Sequence, residues 1–117
     1  MSMPEGFVRG MLEMGMGTDL HGGDYSKAAC RAVREALQRS SLNFVKALSL
    51  DIATLPIRVT IGVTHPEAVD VSDVSACFPM GQVEVTVVSG GLDIPGAVAD
   101  DFAVVASAAI EVYVPRR

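Results

Sequence analysis

"FAVVASAAIEVYV" (Phe102–Val114) decides the fold. Its alanine-rich middle has the composition of a helix, but its ends are β-branched and favour an extended chain. In the second half Ile110, Val112 and Val114 alternate with Glu111 and Tyr113. That period of two belongs to a strand with one buried face. The segment is therefore expected to be a long closing strand that stops at Pro115. The same alternation recurs upstream. "QVEVTVV" (Gln82–Val88) shows it, and so does "PIRVTIGVTH" (Pro56–His65), where Ile57, Val59, Ile61 and Val63 alternate with Arg58, Thr60, Gly62 and Thr64. "FVRGMLEM" (Phe7–Met14) is expected to be the first strand, with Val8, Leu12 and Met14 on one face and Arg9 and Glu13 on the other. Met11, Met14 and Met16 are expected to fill the core.

"DYSKAACRAVREALQRSS" carries the clearest helix. Tyr25, Ala28, Ala29, Ala32, Val33, Ala36 and Leu37 form one apolar stripe, opposite Lys27, Arg31, Arg34 and Gln38. Asp24 is placed to cap its first turn, and the alanines permit close approach to a sheet. Residues 40–55, with "LNFVKALSL", fit a helical extension, a short second piece or an ordered crossover. "HPEAV" turns the chain, and "DVSDVSACF" is a short helix candidate with Ser72 as its cap. "SGGLDIPGAVADD", with three glycines and a proline, is expected to be a loop. The order is β-α-β-α-β-β: an α+β protein, one sheet layer with its helices on one face. The other face keeps small apolar residues, which implies an oligomer that covers it.

The chain has 117 residues, 50% of them hydrophobic, which suits a single domain with its own core. Only 5% are aromatic and none is tryptophan, so that core must be aliphatic. A net charge of −5 argues against nucleic acid as a partner. No apolar run approaches a membrane span, and the first residues lack the cationic and apolar pattern of a leader, so none is expected. Cys30 and Cys77 have no CxxC spacing, which argues against a zinc site. They are expected to be reduced thiols of a cytoplasmic protein, with Cys30 a small residue at the core edge.

Functional chemistry concentrates in "MGMGTDLHGGDYSKAAC" (residues 14–30). The dinucleotide fingerprint fails because Leu20 stands where GxGxxG needs its third glycine. No GK[ST] follows, so a phosphate loop of the P-loop type fails too. Asp19, His21 and Asp24 could offer metal ligands, but two histidines in the whole chain make a histidine-rich site impossible. Neither metal nor cofactor is called for. An anion site fits better. Gly15, Gly17, Gly22 and Gly23 would let the backbone approach a ligand just before a helix N-terminus. Lys27 would supply positive charge there, unless it extends into water or pairs with Asp24 or Asp19. His21 would act as acid, base or hydrogen-bond donor with Asp19 orienting it; alternatively both hold the turn together. The ligand expected is small, polar, and anionic or carbonyl-bearing, and the chemistry a non-redox hydrolase, lyase or isomerase reaction. The alternative is a non-catalytic subunit that completes a site on a partner.

"GMGTDLHG" (Gly15–Gly22) matches the pattern GxGxDxHG of the Lin-type conserved hypothetical family. The likeness continues through "AACRAVREAL", "RVTIGV", "VEVTVVSGGL" and "SAAIEV". The matched positions are Gly15, Gly17, Asp19, His21 and Gly22. The family brings no established activity, and its paired paralogues imply a hetero-oligomer. "DIPGAVADD" is shorter than the corresponding family loop. In fold, the element order, "VTHPEAV", "ACFP" and "LDIPGA" resemble the trimeric monofunctional chorismate mutases. The ring-opening cyclic amide hydrolases resemble a fused version of that arrangement. The likeness implies a trimer with sites at subunit clefts. It does not carry the mutase chemistry, because "FAVVASAAIEV" has no arginine to hold a dicarboxylate.

Overall fold

A computed structural model describes residues 5–39, 49–78 and 81–116. Its centre is the long closing strand, β5 (Phe102–Pro115), as the β-branched ends of that segment predict. On one edge β5 pairs antiparallel with β1 (Phe7–Asp19). Its other edge is shared. Residues Ser107–Val112 pair with β2 (Pro56–Val63), and Phe102–Val105 pair with β4 (Leu92–Pro95), both antiparallel. β3 (Gln82–Ser89) completes the sheet as a parallel neighbour of β2, giving the order β1-β5-β2-β3 with β4 off that path. Such a parallel pair needs a crossover, and α2 (Val71–Cys77) lies within it. α1 (Tyr25–Arg39) connects β1 toward β2 and packs on the same side of the sheet.

β4 corrects the expectation of a loop over residues 89–101. Leu92 and Ile94 alternate with Asp93, too briefly to stand out beside the glycines, but β5 extends past β2 and leaves backbone groups for them to pair with. The first strand likewise runs five residues further than Met14, to Asp19. α2 is capped by Asp70, whose carboxylate accepts from the Ser72 N–H at 2.9 Å, rather than by Ser72. Ser72 donates its hydroxyl to the same carboxylate, and this bond, ahead of the backbone one, holds Asp70 below its ordinary pKa. Most of "LNFVKALSL" lies outside the described residues. Asp24 caps α1 as expected, accepting from the Lys27 N–H at 3.0 Å.

The core lies between the sheet and α1. Val59, Ile61, Val63, Val104, Ile110 and Val112 are fully buried, with Ala28, Ala29, Ala32, Val33 and Ala36 of the helix above them. Directly beneath the helix runs a row of very small residues. Gly15 pairs with Ala108 and Gly17 with Ala106 across the β1–β5 ladder. A side chain at Gly17 would collide with the backbone at Ala28, Arg31 and Ala32, and one at Gly15 with Ala32 and Ala36. The glycines therefore let α1 sit almost on the strand backbone. This changes the fate of the methionines. Gly15 and Gly17 take the covered face, so Met14 and Met16 must point the other way, where they are 55% and 59% exposed. Met11, in step with Gly15 and Gly17, is half-buried against the core, and the register shift between Arg9 and Met11 brings Val8 to that covered face instead of the face of Leu12 and Met14.

Cys30 and Cys77 form a disulfide between α1 and α2, with Cα atoms 5.9 Å apart. Reduced thiols were expected from the reading of a cytoplasmic protein, and the disulfide corrects that expectation. The cysteines are far apart in sequence, and the β2–α2 crossover closes that distance by bringing α2 back beside α1. Among the described residues, no helix is long and apolar enough to cross a membrane.

Candidate functional site

Where β1 hands over to α1, the chain makes a tight corner. Gly22 and Gly23 both have positive φ, +91° and +62°, a region that disfavours side chains. Gly23 also seats the Phe102 ring, which a Cβ would strike. Asp19 ends β1 in a buried position and accepts from the Asp24 N–H at 2.9 Å. Arg31 stands 3.7 Å from Asp19 and donates to the Thr18 carbonyl at 2.6 Å. Asp19 thus ties the end of β1 to the start of α1.

His21 turns outward and meets a different acid. Its Nδ1 lies 2.8 Å from Asp101 Oδ2, while the Gly22 N–H donates to Oδ1 of the same carboxylate at 3.3 Å. These two bonds, the histidine first, hold Asp101 below its ordinary pKa. The His21 side chain is 82% exposed. A carboxylate at Nδ1 favours the tautomer that donates Nδ1–H, which leaves Nε2 as the acceptor nitrogen of the neutral ring.

Asp101 also lines a cleft of about 450 Å³ with Tyr25, His65, Asp93, Asp100 and Phe102. The Tyr25 hydroxyl donates to Asp93 Oδ2 at 2.5 Å and accepts from Thr64 at 3.3 Å. Burial, and then the Asp93 carboxylate, raise the Tyr25 pKa. His65 packs edge-on against Tyr25, ring centroids 5.6 Å apart, with Nε2 at 3.9 Å from Asp93 Oδ2. Asp93 Oδ1 is buried and has no hydrogen-bond partner among the described residues.

The sequence-predicted residues therefore separate into three places. His21, Gly22 and Gly23 sit at the corner beside the cleft. Asp19, Gly15 and Gly17 are buried beneath or beside α1. Gly15 and Gly17 belong to a strand, not a loop, and the helix backbone occupies the space a ligand would need. Lys27 lines a second hollow of about 540 Å³, with Arg34, Asp73 and the disulfide, that shares no residue with the first.

A model of a conserved hypothetical protein family (Lin0512_fam) matches residues 9–112. The chain belongs to that family. A crystal structure described as an FtsZ-like protein of unknown function, from Nostoc punctiforme, superposes on it with a TM-score of 0.85. The two are 34% identical, and the likeness covers 94% of this chain and 98% of that one. No curated protein matches it. The cleft residues that sequence reasoning missed are Tyr25, Asp93 and Asp101. Tyr25 passed as one more residue of the apolar stripe. Asp93 and Asp101 lay in a segment treated as loop. The available signal was Asp93 alternating with Leu92 and Ile94, which puts an acid on the helix-covered face of a strand.

Proposed function

We propose that this protein binds a small molecule in the cleft between the β1–α1 corner and the β4–β5 pair, and that His21 is its acid–base group. One observation carries the reading: an exposed imidazole fixed through Nδ1 by a carboxylate 80 residues away in sequence. An aspartate so placed selects the tautomer and stabilises the imidazolium that forms when Nε2 takes a proton. Asp101 takes the orienting role that sequence reasoning gave to Asp19. The chemistry that fits is proton transfer without a redox cofactor, as in a hydrolase, lyase or isomerase reaction on a carbonyl-bearing ligand. Lys27 stands on a different hollow and has no part in it.

A metabolite screen read by thermal shift tests this reading, since a ligand that binds only the folded state raises its apparent stability. Hits should raise the melting temperature of the wild type and lose most of that effect in His21→Gln and Asp101→Asn. Hits that act equally on both variants would place the ligand elsewhere.

A second reading concerns assembly. Leu12, Met14 and Met16 of β1 share the uncovered sheet face with Leu92 and Ile94 of β4, all at least 44% exposed. An apolar area of that kind is usually an interface. Self-association would cover it, as a trimer on the likeness to the trimeric chorismate mutases, or with a paralogous subunit on the family resemblance. Mass in solution, alone and with the paralogue, separates these from a monomer.

A further inference from the structure

The hollow between α1 and α2 gathers reactive groups that the cleft does not use. Cys30 and Cys77 both line it, with Asp24, Lys27, Arg34 and Asp73. The two cysteines are not placed alike. Cys30 is buried within α1, and its Sγ lies 3.4 Å from the Asp73 carbonyl oxygen of α2. Cys77 ends α2, is partly exposed, and has the Arg34 guanidinium 3.9 Å from its Sγ. Once the bond between them is reduced, each sulfur meets a different neighbour. The Cys30 thiol has a carbonyl to donate to, which favours its neutral form. The guanidinium favours the thiolate at Cys77. Other charges bear on Cys77 as well. Asp73, one turn back on α2, and the negative end of that helix act against Arg34, and Lys27 acts with it. Asp24 is engaged at the head of α1, where it accepts from the Lys27 N–H. β3, behind α2, turns Val83, Val85 and Val87 to this side. Arg34 is the full charge in contact with the sulfur, and it outweighs the partial charge of a helix end.

The pair is also held together by more than its own bond. Val74 of α2 is fully buried, and the Asp70 N–H donates to Ser26 Oγ of α1 at 2.8 Å. With these contacts in place the two cysteines, Cα atoms 5.9 Å apart, stay within bonding reach as thiols. A cross-link that only braces the fold needs neither a hollow beside it nor a guanidinium at one of its two sulfurs.

We propose that Cys77 and Cys30 form a reversible thiol–disulfide exchange site, with Cys77 as the attacking thiolate, Cys30 as the resolving thiol and a low-molecular-weight disulfide as the oxidant. In the first step the Cys77 thiolate attacks one sulfur of the small disulfide. A mixed disulfide forms at Cys77, and the other half leaves as a thiolate that takes a proton from water. In the second step Cys30 gives up its proton and attacks the Cys77 sulfur. The internal disulfide forms, and the second half leaves as a thiolate that takes up that proton. The protein dithiol is oxidised by two electrons, and the small disulfide is reduced to two thiols. The same steps in reverse, with a small thiol, reopen the pair. This site stands apart from the cleft, with which its hollow shares no residue.

The test exposes the reduced full chain to 2-hydroxyethyl disulfide, an uncharged probe, and follows the products by intact mass. Cys30→Ser should accumulate a single adduct at Cys77. Cys77→Ser should gain its adduct at least about tenfold more slowly. The wild type should pass through the adduct to the internal disulfide, and a small thiol added in excess should reopen it. Arg34→Gln, an exposed position on α1, should slow adduct formation in the Cys30→Ser background several-fold near pH 7. It should also move the midpoint of the pH–rate curve upward, a change that altered access alone would not produce. In the wild-type background Arg34→Gln should slow closure of the internal disulfide, a reading that needs no cysteine substitution. Equal rates for the two single-cysteine variants, or a midpoint that Arg34→Gln leaves in place, would overturn the assignment of Cys77 as the attacking thiolate. A wild type that retains its adduct, or that stays a dithiol in the probe, would overturn the exchange site itself.

Discussion

The two faces of the sheet are built from the same strands and have opposite character. On the helix-covered face β1 offers Gly15, Gly17 and the buried carboxylate of Asp19. On the other face, one residue over each time, it offers Leu12, Met14 and Met16 to solvent. The covered face is small because α1 rests directly on it. The open face carries the large side chains that would ordinarily fill a core. At its far end that open face is closed off, where Tyr113 is buried beside Arg58 and Glu111. Along β1, residue size alone thus misleads: its glycines mark the tightest packing, and its large Met14 and Met16 mark a face that no described residue covers.

The sharpest break of this contrast is a pair of neighbouring substitutions. Gly17→Val should abolish cooperative folding, because its side chain would enter the helix backbone and neither element can yield at that contact. Met16→Val, one residue away on the open face, should change stability by no more than about 0.5 kcal/mol. Urea unfolding followed by circular dichroism reads both. A folded Gly17→Val protein would mean that α1 can ride up from the sheet.

The covered side is also cross-linked. The Cys30–Cys77 disulfide spans 47 residues of sequence and joins α1 to α2. Loops of this size are stabilised by roughly 2–4 kcal/mol when closed. Cys30→Ser with Cys77→Ala should cost about that much in oxidising buffer. In reducing buffer the variant and the wild type should converge. Equal stability in oxidising buffer would show that the thiols remain free.

These outcomes bear on how far the sequence could be followed. The element order was legible, apart from β4, because β2, β3 and β5 each alternate strongly and α1 has an unbroken stripe. The glycines of β1 were not, since a glycine that admits a ligand and one that admits a helix backbone look alike in a string of letters. His21 was legible as a candidate, and its partner was not. Asp101 reaches it only because β5 pairs with β1 and brings the start of one strand to the end of the other, with Val104 opposite Asp19. Nothing local encodes such a contact. The disulfide escaped for the same reason.

Acid separates the site from the rest of the covered side. Asp101 and Asp70 both have pKa values below the ordinary one in the folded protein. Each therefore contributes stability that is present above the unfolded carboxylate pKa, about 3.9, and is lost as pH falls through the folded value. The melting temperature should drop as pH is lowered below about 4. Asp101→Asn should lower it at neutral pH and flatten the acid limb, and Asp70→Asn should do the same independently. An unchanged acid limb in Asp101→Asn would remove the His21–Asp101 bond from the folded state in solution.

Base distinguishes the two faces through their tyrosines. The chain has two tyrosines and no tryptophan, so absorbance near 295 nm reports Tyr25 on the covered side and Tyr113 on the open side. Both are raised, by burial first and then by a carboxylate that accepts the hydroxyl, Asp93 for one and Glu111 for the other. Both should titrate above pH ~10. Asp93→Asn should bring only Tyr25 back toward its ordinary value, and Glu111→Gln only Tyr113. A shift of both by either substitution would mean the two faces are coupled through β5.

A small effect on stability carries a larger consequence for assembly. Met14→Thr with Met16→Thr removes two exposed apolar side chains and no contact with the core, so the monomer should lose no more than about 1 kcal/mol. If a second copy covers this face, the same change lowers the apolar area available for burial, at roughly 25 cal/mol per Å², and dissociation should move to higher protein concentration. Light scattering across a dilution series measures that shift. A wild type that is monomeric at every concentration, and unaltered by the double substitution, would leave the open face to a different chain. The paralogous subunit would then be the partner to add, and the substituted protein should bind it more weakly than the wild type does.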